Sequence, residues 1–368
     1  MVNVTLGMPS PVTLDTVRSA PKVLLHDHLD GGLRPATILE LAESCGWYDR
    51  LPSHDVKDLH AYFIRGAESR DLLTYLATFE HTLAVMQTEG NIARVAEEAA
   101  IDLADDGVAY AEIRFAPELH QAGGLSLDAV VEAVQAGLRT GKRKAESTGR
   151  PIEINTIICA MRTEQRSVEI VELAVRMRAK DSSIVGFDLA GAETGWPPSL
   201  HAEALAIARN ELMHLTIHAS EPPDLELIHD ALVHGAERIG HGVRLGTDVD
   251  AATGRLGALA TYVRDRQITL EMAPTCNVQI GAVASLADHP IGPFLRAGFR
   301  VGVNTDNRLM SNVSMTSEVH AVATTFGLTW TEIAQLAGNA LAGSFASWET
   351  KRQLQNNVLT PAYAALLA

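Results

Sequence analysis

Four short stretches hold histidines, an aspartate and a glutamate in an arrangement that suits hydrolytic metal chemistry. His26-Asp27-His28 follows an apolar run. Residues two apart in an extended chain point to the same side, so both imidazoles can reach one ion while Asp27 points away. His218 ends a second apolar run, and Glu221 follows closely enough to enter the same pocket. His241 ends a third run between two glycines that permit a tight turn, and Asp306 ends a fourth in Val303-Asn304-Thr305-Asp306-Asn307. Each stretch has a plainer reading by itself: paired or buried histidines, an ordinary turn, a helix N-cap. Together, three histidines and one aspartate make a nitrogen-rich ligand set suited to Zn²⁺. They leave His241 and Glu221 as unligated acid–base candidates.

Such ligands must come from elements that end at one mouth. The runs 22–25, 108–115, 152–158, 184–189, 214–217, 238–239, 268–271 and 300–303 read as strands, rich in Val, Ile, Phe and Tyr and closed by polar residues. Between them, stretches such as Leu127–Glu146 and Ser167–Arg178 repeat apolar residues three or four apart, as one-sided helices do. Eight parallel strands with covering helices predict an α/β fold, a (β/α)₈ barrel of the TIM type, whose sites lie at the C-terminal strand ends. An open doubly wound sheet is the alternative, because strand count does not prove closure. The barrel is expected over about 22–346 within a single domain covering 1–368. A helical insertion at about 33–105 is expected to cap one barrel end, and further helices at 316–326, 329–345 and 349–354 to finish the fold. Leu72, Tyr75, Leu76 and Phe79 have helical spacing inside that insertion, which serves ordinary packing and a substrate lid equally well.

With 368 residues and 46% hydrophobic content the chain can bury a large core. Thirty Lys and Arg against 45 Asp and Glu give a formal charge of -15, which would repel a phosphate backbone and argues against nucleic acid as a partner. The three thiols, Cys45, Cys159 and Cys276, form neither a disulfide framework nor a CxxC knuckle, so a reducing cytoplasm is expected. Residues 1–19 lack a charged leader followed by an apolar segment, and no apolar run approaches the ~20 residues that span a bilayer, so neither export nor membrane insertion is expected. No sequence feature specifies an oligomeric state. His201-Ala202-Glu203 matches the first half of the H-x-E…C-x-x-C signature of zinc enzymes that act on bases of nucleic acid, but there is no CxxC, and His201 is expected on a helix surface.

From Lys22 to about Ala346 the chain resembles the adenosine/AMP deaminase family of metal-dependent amidohydrolases. Leu25-His26-Asp27-His28-Leu29-Asp30-Gly31 matches its LHxHLDG, and Asp188-Leu189-Ala190-Gly191 its DLAG. His218-Ala219-Ser220-Glu221 resembles its HAGE, Arg238 to Gly242 its R-(I/V)-G-H-G, and Asn304-Thr305-Asp306-Asn307 its NTDD. The resemblance implies one Zn²⁺ per chain on His26, His28, His218 and Asp306, with Glu221 addressing purine N1 and His241 the attacking water. It further implies that Asp30 contacts the ribose, that the Gly191 amide donates to N3, that His28 also faces the substrate, and that Leu72, Tyr75, Leu76 and Phe79 cover the base. The implied activity is hydrolytic deamination of adenosine and 2′-deoxyadenosine in purine salvage. Adenine or aminodeoxyfutalosine are alternative substrates, and a non-catalytic nucleoside-binding protein is an alternative of another kind.

Three departures stand out. Ser220 replaces a glycine and adds a side chain where backbone room matters. Asn307 replaces an aspartate that contacts purine N7; N7 is an acceptor, and an amide donates to it without needing a raised pKa. Ala273-Pro274-Thr275-Cys276-Asn277 departs from CPxSN, and Cys276 is expected to touch no ligand and to take no catalytic role.

Overall fold

Apolar, β-branched runs become strands where both faces are covered, and eight do so here. The computed structural model describes residues 9–368 apart from Asp71, Pro222, Pro223 and Ala251; the side chains of Leu72 and Leu73 also lie outside the described residues. The strands are β1 (Lys22–His28), β2 (Val108–Phe115), β3 (Glu153–Met161), β4 (Ile184–Ala190), β5 (His214–Ala219), β6 (Arg238–His241), β7 (Thr269–Met272) and β8 (Val301–Val303). They pair in parallel in chain order.

The ring closes between β1 and the residues that follow β8. Asp27 and Asp306 form a parallel bridge. The His28 N–H donates to the Asp306 carbonyl (2.7 Å), and the Asp306 N–H to the His26 carbonyl (2.9 Å). Asn304 Oδ1 accepts from the N–H groups of Leu25 (2.9 Å) and His26 (3.1 Å). The alternative of an open sheet therefore falls. This seam also explains why β1 runs three residues past its apolar segment: His26 and His28 are strand residues, held in place by the closure itself.

Between β1 and β2 lie helices at Pro35–Cys45, Val56–Ala67, Leu72–Ala77, Phe79–Val85 and Glu89–Asp105. The last is capped by Thr88, whose side chain accepts from the Asn91 N–H, and it buries Ile92, Val95, Ala96, Ala99, Ala100 and Leu103. It packs directly on Leu127–Ser147, so closely that a Cβ at Gly137 would lie 2.1 Å from the Ala93 carbonyl. The helical spacing of Leu72, Tyr75, Leu76 and Phe79 predicts one helix, but the structure has two. They part at Thr78, whose hydroxyl donates to the Tyr75 carbonyl (2.7 Å). Beyond β8, helices Met315–Phe326, Trp330–Gly343, Trp348–Leu354 and Thr360–Leu367 complete the chain.

The barrel interior is charged where barrel interiors are usually branched and apolar. Arg114 of β2 reaches Asp188 Oδ2 of β4 (2.7 Å) and Glu271 Oε2 of β7 (2.7 Å), and donates to the Leu25 carbonyl (2.6 Å). Arg238 of β6 lies 2.6 Å from Glu271 Oε1 and 2.6 Å from Glu112 Oε2. All five side chains are buried. Breaking a buried ion network from one side leaves uncompensated charge, which typically costs about 3–5 kcal/mol. Arg114→Met is therefore expected to lower the unfolding free energy by about that amount in urea titrations. A loss under about 1 kcal/mol would show that the network is not structurally required.

Candidate active site

The strand ends bring the predicted groups together. His26 and His28 leave β1, His218 lies in β5, His241 ends β6, and Asp306 follows β8. Below them, His26 Nδ1 lies 3.0 Å from Glu271 Oε2, and His218 Nδ1 lies 2.9 Å from Asp188 Oδ2. Burial acts to raise both carboxyls, but the Arg114 and Arg238 charges hold Glu271 well below the carboxylate range. His218 and Arg114 likewise lower Asp188 against its burial. Ionised carboxylates only accept hydrogen bonds, so each fixes an Nδ1–H and leaves the Nε2 lone pair facing the centre.

Those lone pairs have nothing suitable to meet. His26 Nε2 has no hydrogen-bond partner and lies 3.3 Å from Asp306 Oδ1. His28 Nε2 lies 3.1 Å from His218 Nε2 and 3.5 Å from Asp306 Oδ1. Imidazole nitrogens this close to one another and to a carboxylate in a buried site form a ready-made donor set, and a divalent cation between them would be coordinated by it. The donor set thus fits a borderline metal ion. The ligand atoms of His26, His218, His241 and Asp306 also lie within 4.8 Å of one another, so five groups surround the position that four would fill.

Three residues at this mouth have left-handed backbone: Ser220 (φ 81°), His241 (φ 62°) and Asp306 (φ 57°). That conformation costs L-residues roughly 1–2 kcal/mol each and requires fixed surroundings. At Asp306 the seam supplies them. At Ser220, the backbone N–H donates to Glu193 Oε2 (2.7 Å), and the hydroxyl accepts from the Arg244 N–H (3.0 Å). The hydroxyl is buried and turned away from the cavity, so Ser220 does not crowd a substrate as its replacement of glycine suggests. Next to it, Glu221 faces the cavity. Burial first, then the charges of Glu193 and Asp306, push its carboxyl well above the usual range, which favours the protonated form.

The cavity over this cluster has a volume of about 250 Å³. His28, Asp30, Glu221, His241, Asp306 and Asn307 form its polar end. Tyr75, Leu76 and Phe79 line the same cavity with Leu83, Leu119 and Met161, whereas the Leu72 side chain is outside the described residues. Gly191 also lines it at φ 97°, where a Cβ would meet the Met161 methyl at 2.9 Å. Asp30 is buried, its Oδ1 lacks a partner, and burial raises its carboxyl to about 7. Asn307 Oδ1 is likewise unpartnered. No Lys or Arg lines the cavity among the described residues.

Two expectations are corrected here. Cys276 is buried, and its thiol joins a cluster with Glu221 and Asp306 whose ligand atoms lie within 4.8 Å of one another, a proximity the sequence did not suggest. Burial, then the charges of Asp306 and Glu221, raise that thiol well above its usual range and keep it protonated. His201 is not on a surface: it is buried between Ser167 Oγ (2.9 Å) and the Arg162 carbonyl (3.0 Å). The sequence reading also missed Arg114, Glu193, Glu271, Asn277 and His289. Asp188 stood in a quoted motif without a role, and Asn277 closes the 273–277 stretch that was read only for its thiol.

Because Asp188 fixes the His218 tautomer, Asp188→Asn is expected to weaken metal binding about 10- to 100-fold in chelator competition. An unchanged affinity would mean that His218 is oriented by something else.

A family model described as adenosine deaminase matches residues 21–361. The adenosine deaminase of Mycolicibacterium gilvum is 50% identical over 364 residues, covering 98% of this chain and all of that one. Among solved structures, an adenine deaminase from Arthrobacter aurescens superposes with a TM-score of 0.80 at 27% identity, covering 95% of this chain and 98% of that chain. An Arabidopsis ADAL complexed with IMP gives 0.81 at 26% identity, with the same shares.

Proposed function

The chain belongs to the adenosine deaminase family, and on that premise we propose the reaction its cavity carries out: removal of the 6-amino group of adenosine or 2′-deoxyadenosine by water, releasing inosine or deoxyinosine and ammonia for purine salvage. One observation supports it above the others. Glu221, a carboxyl that burial pushes towards its protonated form, lines the same cavity as a metal-fitting cluster. That pairing suits attack by water on an aromatic amidine carbon with protonation of the neighbouring nitrogen.

We assign one Zn²⁺ per chain to His26, His28, His218 and Asp306, where it would lower the pKa of a water towards roughly 7. The chain's own groups do the rest. Asp306 and His241 orient the water towards C6. Glu221 gives its proton to N1 as attack breaks the ring's aromaticity, so the developing charge never has to be carried by the ring alone. Asn307 donates its amide proton to N7, and the Gly191 N–H donates to N3. Asp30, with an oxygen unpartnered, takes a ribose hydroxyl. Tyr75, Leu76 and Phe79 cover the base; the resemblance assigns Leu72 to the same lid, and its side chain lies outside the described residues.

The lining also supports a nucleoside over its relatives. With no Lys or Arg on the wall among the described residues and a carboxyl at Asp30, a 5′-phosphate would meet no compensating charge. Adenine, the substrate in the name of the Arthrobacter neighbour, would leave Asp30 unpaired. The three unpaired cysteines suit the reducing cytoplasm, where we place the enzyme.

An ammonia-release panel of adenosine, 2′-deoxyadenosine, adenine, AMP and aminodeoxyfutalosine, run on metal-quantified protein, tests the substrate. Adenosine is expected to lead. A panel led by adenine, AMP or aminodeoxyfutalosine overturns this reading.

Glu221→Gln is expected to keep its metal and lose about 10²-fold or more in kcat, because the amide has the shape but not the acidic proton. In the wild type the protonated carboxyl is the active form, so activity should fall as pH rises through its elevated pKa and be retained below it. Near-normal turnover of the variant would show that another group protonates the ring.

Replacing N7 by C–H in 7-deazaadenosine should cost about 5- to 150-fold in kcat/KM, equivalent to the roughly 1–3 kcal/mol of a buried donor left unpaired. Equal rates for the two nucleosides would mean that Asn307 does not read N7.

A further inference from the structure

His241 is the fifth group at a site with four ligand positions, and its surroundings differ in kind from those of His26 and His218. Their Nδ1 atoms face carboxylates. His241 Nδ1 faces the side-chain amide of Asn277, with Asn277 Nδ2 3.1 Å away. The opposite end of that amide, Asn277 Oδ1, lies 3.2 Å from His289 Nε2. The third link is a backbone group: the Ile291 N–H donates to His289 Nδ1 (3.2 Å). Asn277, His241 and His289 are all buried.

Each proton along this chain follows from the one before. A backbone N–H can only donate, so His289 Nδ1 carries a lone pair. Burial holds the His289 imidazole neutral, down to about 3, so its one proton sits on Nε2 and is donated to Asn277 Oδ1. That contact fixes the amide: turned over, it would set its NH₂ against the His289 N–H, two donors face to face in a dry site. Asn277 Nδ2 therefore donates to His241 Nδ1, and the proton of a neutral His241 is on Nε2, the atom 3.2 Å from Glu221 Oε1. The helix that carries Asn277, Pro274–Gln279, is itself tied down, because the Thr275 N–H donates to Glu318 Oε2 (3.2 Å).

We propose that Asn277 and His289 are positioning residues that transmit the Ile291 N–H to His241 and fix it as the Nε2–H tautomer. His241 then meets the reacting oxygen as a hydrogen-bond donor and stays out of the metal's ligand set. The rule that separates the histidines is the group behind each ring. An acceptor behind Nδ1 frees Nε2 to bind metal, as at His26 and His218; a donor behind Nδ1 puts a proton on Nε2 and bars it. His241 also cannot take a second proton on Nδ1 without breaking its bond to Asn277, so it does not serve as the base.

The kinetic half of this inference rests on the deaminase reading; the structural half does not. Full-length, zinc-loaded enzyme labelled with ¹⁵N-histidine, with the His241 signals identified by their loss in His241→Gln, reads the tautomer directly. The expected result is a pyridine-type Nδ1 and a protonated, pyrrole-type Nε2. A proton on Nδ1, or an Nε2 bound to metal, overturns the proposal without any variant. His289→Gln, whose amide still donates to Asn277 Oδ1, should keep the wild-type pattern, whereas His289→Phe should give both tautomers; identical spectra from the two would remove His289 from the relay. Asn277→Asp supplies an acceptor in place of the donor. It should reverse the tautomer and lower kcat by about 10²-fold or more, while KM for adenosine stays within about threefold. A reversed tautomer with wild-type kcat would refute the donor role. A chain that passes the ¹⁵N test yet fails to release ammonia would instead overturn the function.

Discussion

A buried guanidinium between two carboxylates sets the chemistry of the barrel mouth. Against their burial, His218 and Arg114 lower Asp188, and Arg114 and Arg238 lower Glu271, so both favour their ionised forms. Ionised, they can only accept, and that obliges His26 and His218 to turn their lone pairs inward. The network is not balanced by itself: Arg114 and Arg238 face the carboxylates of Asp188, Glu271 and Glu112, and Asp306 adds another above them. A divalent cation over this layer would add compensating charge as well as take up the donor atoms. Structure and ligand binding are thus supported by the same few charges, which is why they cannot be altered separately.

The same mouth concentrates unfavourable backbone. Ser220, His241 and Asp306 each adopt a conformation that glycine takes more readily, and each does so where a strand leaves the barrel. Glycine would relieve the backbone at 241 and 306 but remove the functional side chain. At 220 the hydroxyl recovers a hydrogen bond from the Arg244 N–H, so a residue unlike glycine is accommodated without entering the cavity.

Much of this was legible in the sequence because parallel strands covered on both faces read as apolar runs, and because the chemistry-bearing residues sit where those runs stop. The alternation that puts His26 and His28 on one side is local, and so it could be read. What stayed hidden depends on partners far along the chain. Arg114 lies within the run 108–115 and Glu271 ends the run 268–271, and nothing nearby in the sequence shows that they meet. Asn277 and His289 carry no signal of a role, since their meaning lies in which atom faces which. The split at Thr78 was missed because helical spacing continues across it, while the hydroxyl that breaks the helix bonds to its own backbone. His201 looked like a surface residue because the periodicity of its helix says nothing of the Arg162 carbonyl that covers it.

The seam between β1 and the residues after β8 bears on how the molecule is made. His26 and Asp306 belong to opposite ends of the chain, and the bonds joining these segments, such as that from the Leu25 N–H to Asn304 Oδ1, span 279 positions. Contacts so distant form late, since most of the chain must already be ordered before their closure entropy is repaid. A nascent chain leaving the ribosome would carry His26 and His28 for nearly the whole of its synthesis with no Asp306 to meet. The complete metal site is therefore a product of folding and not its template, and an ion captured early by the first two histidines would be held weakly and exchanged until the last strand arrives.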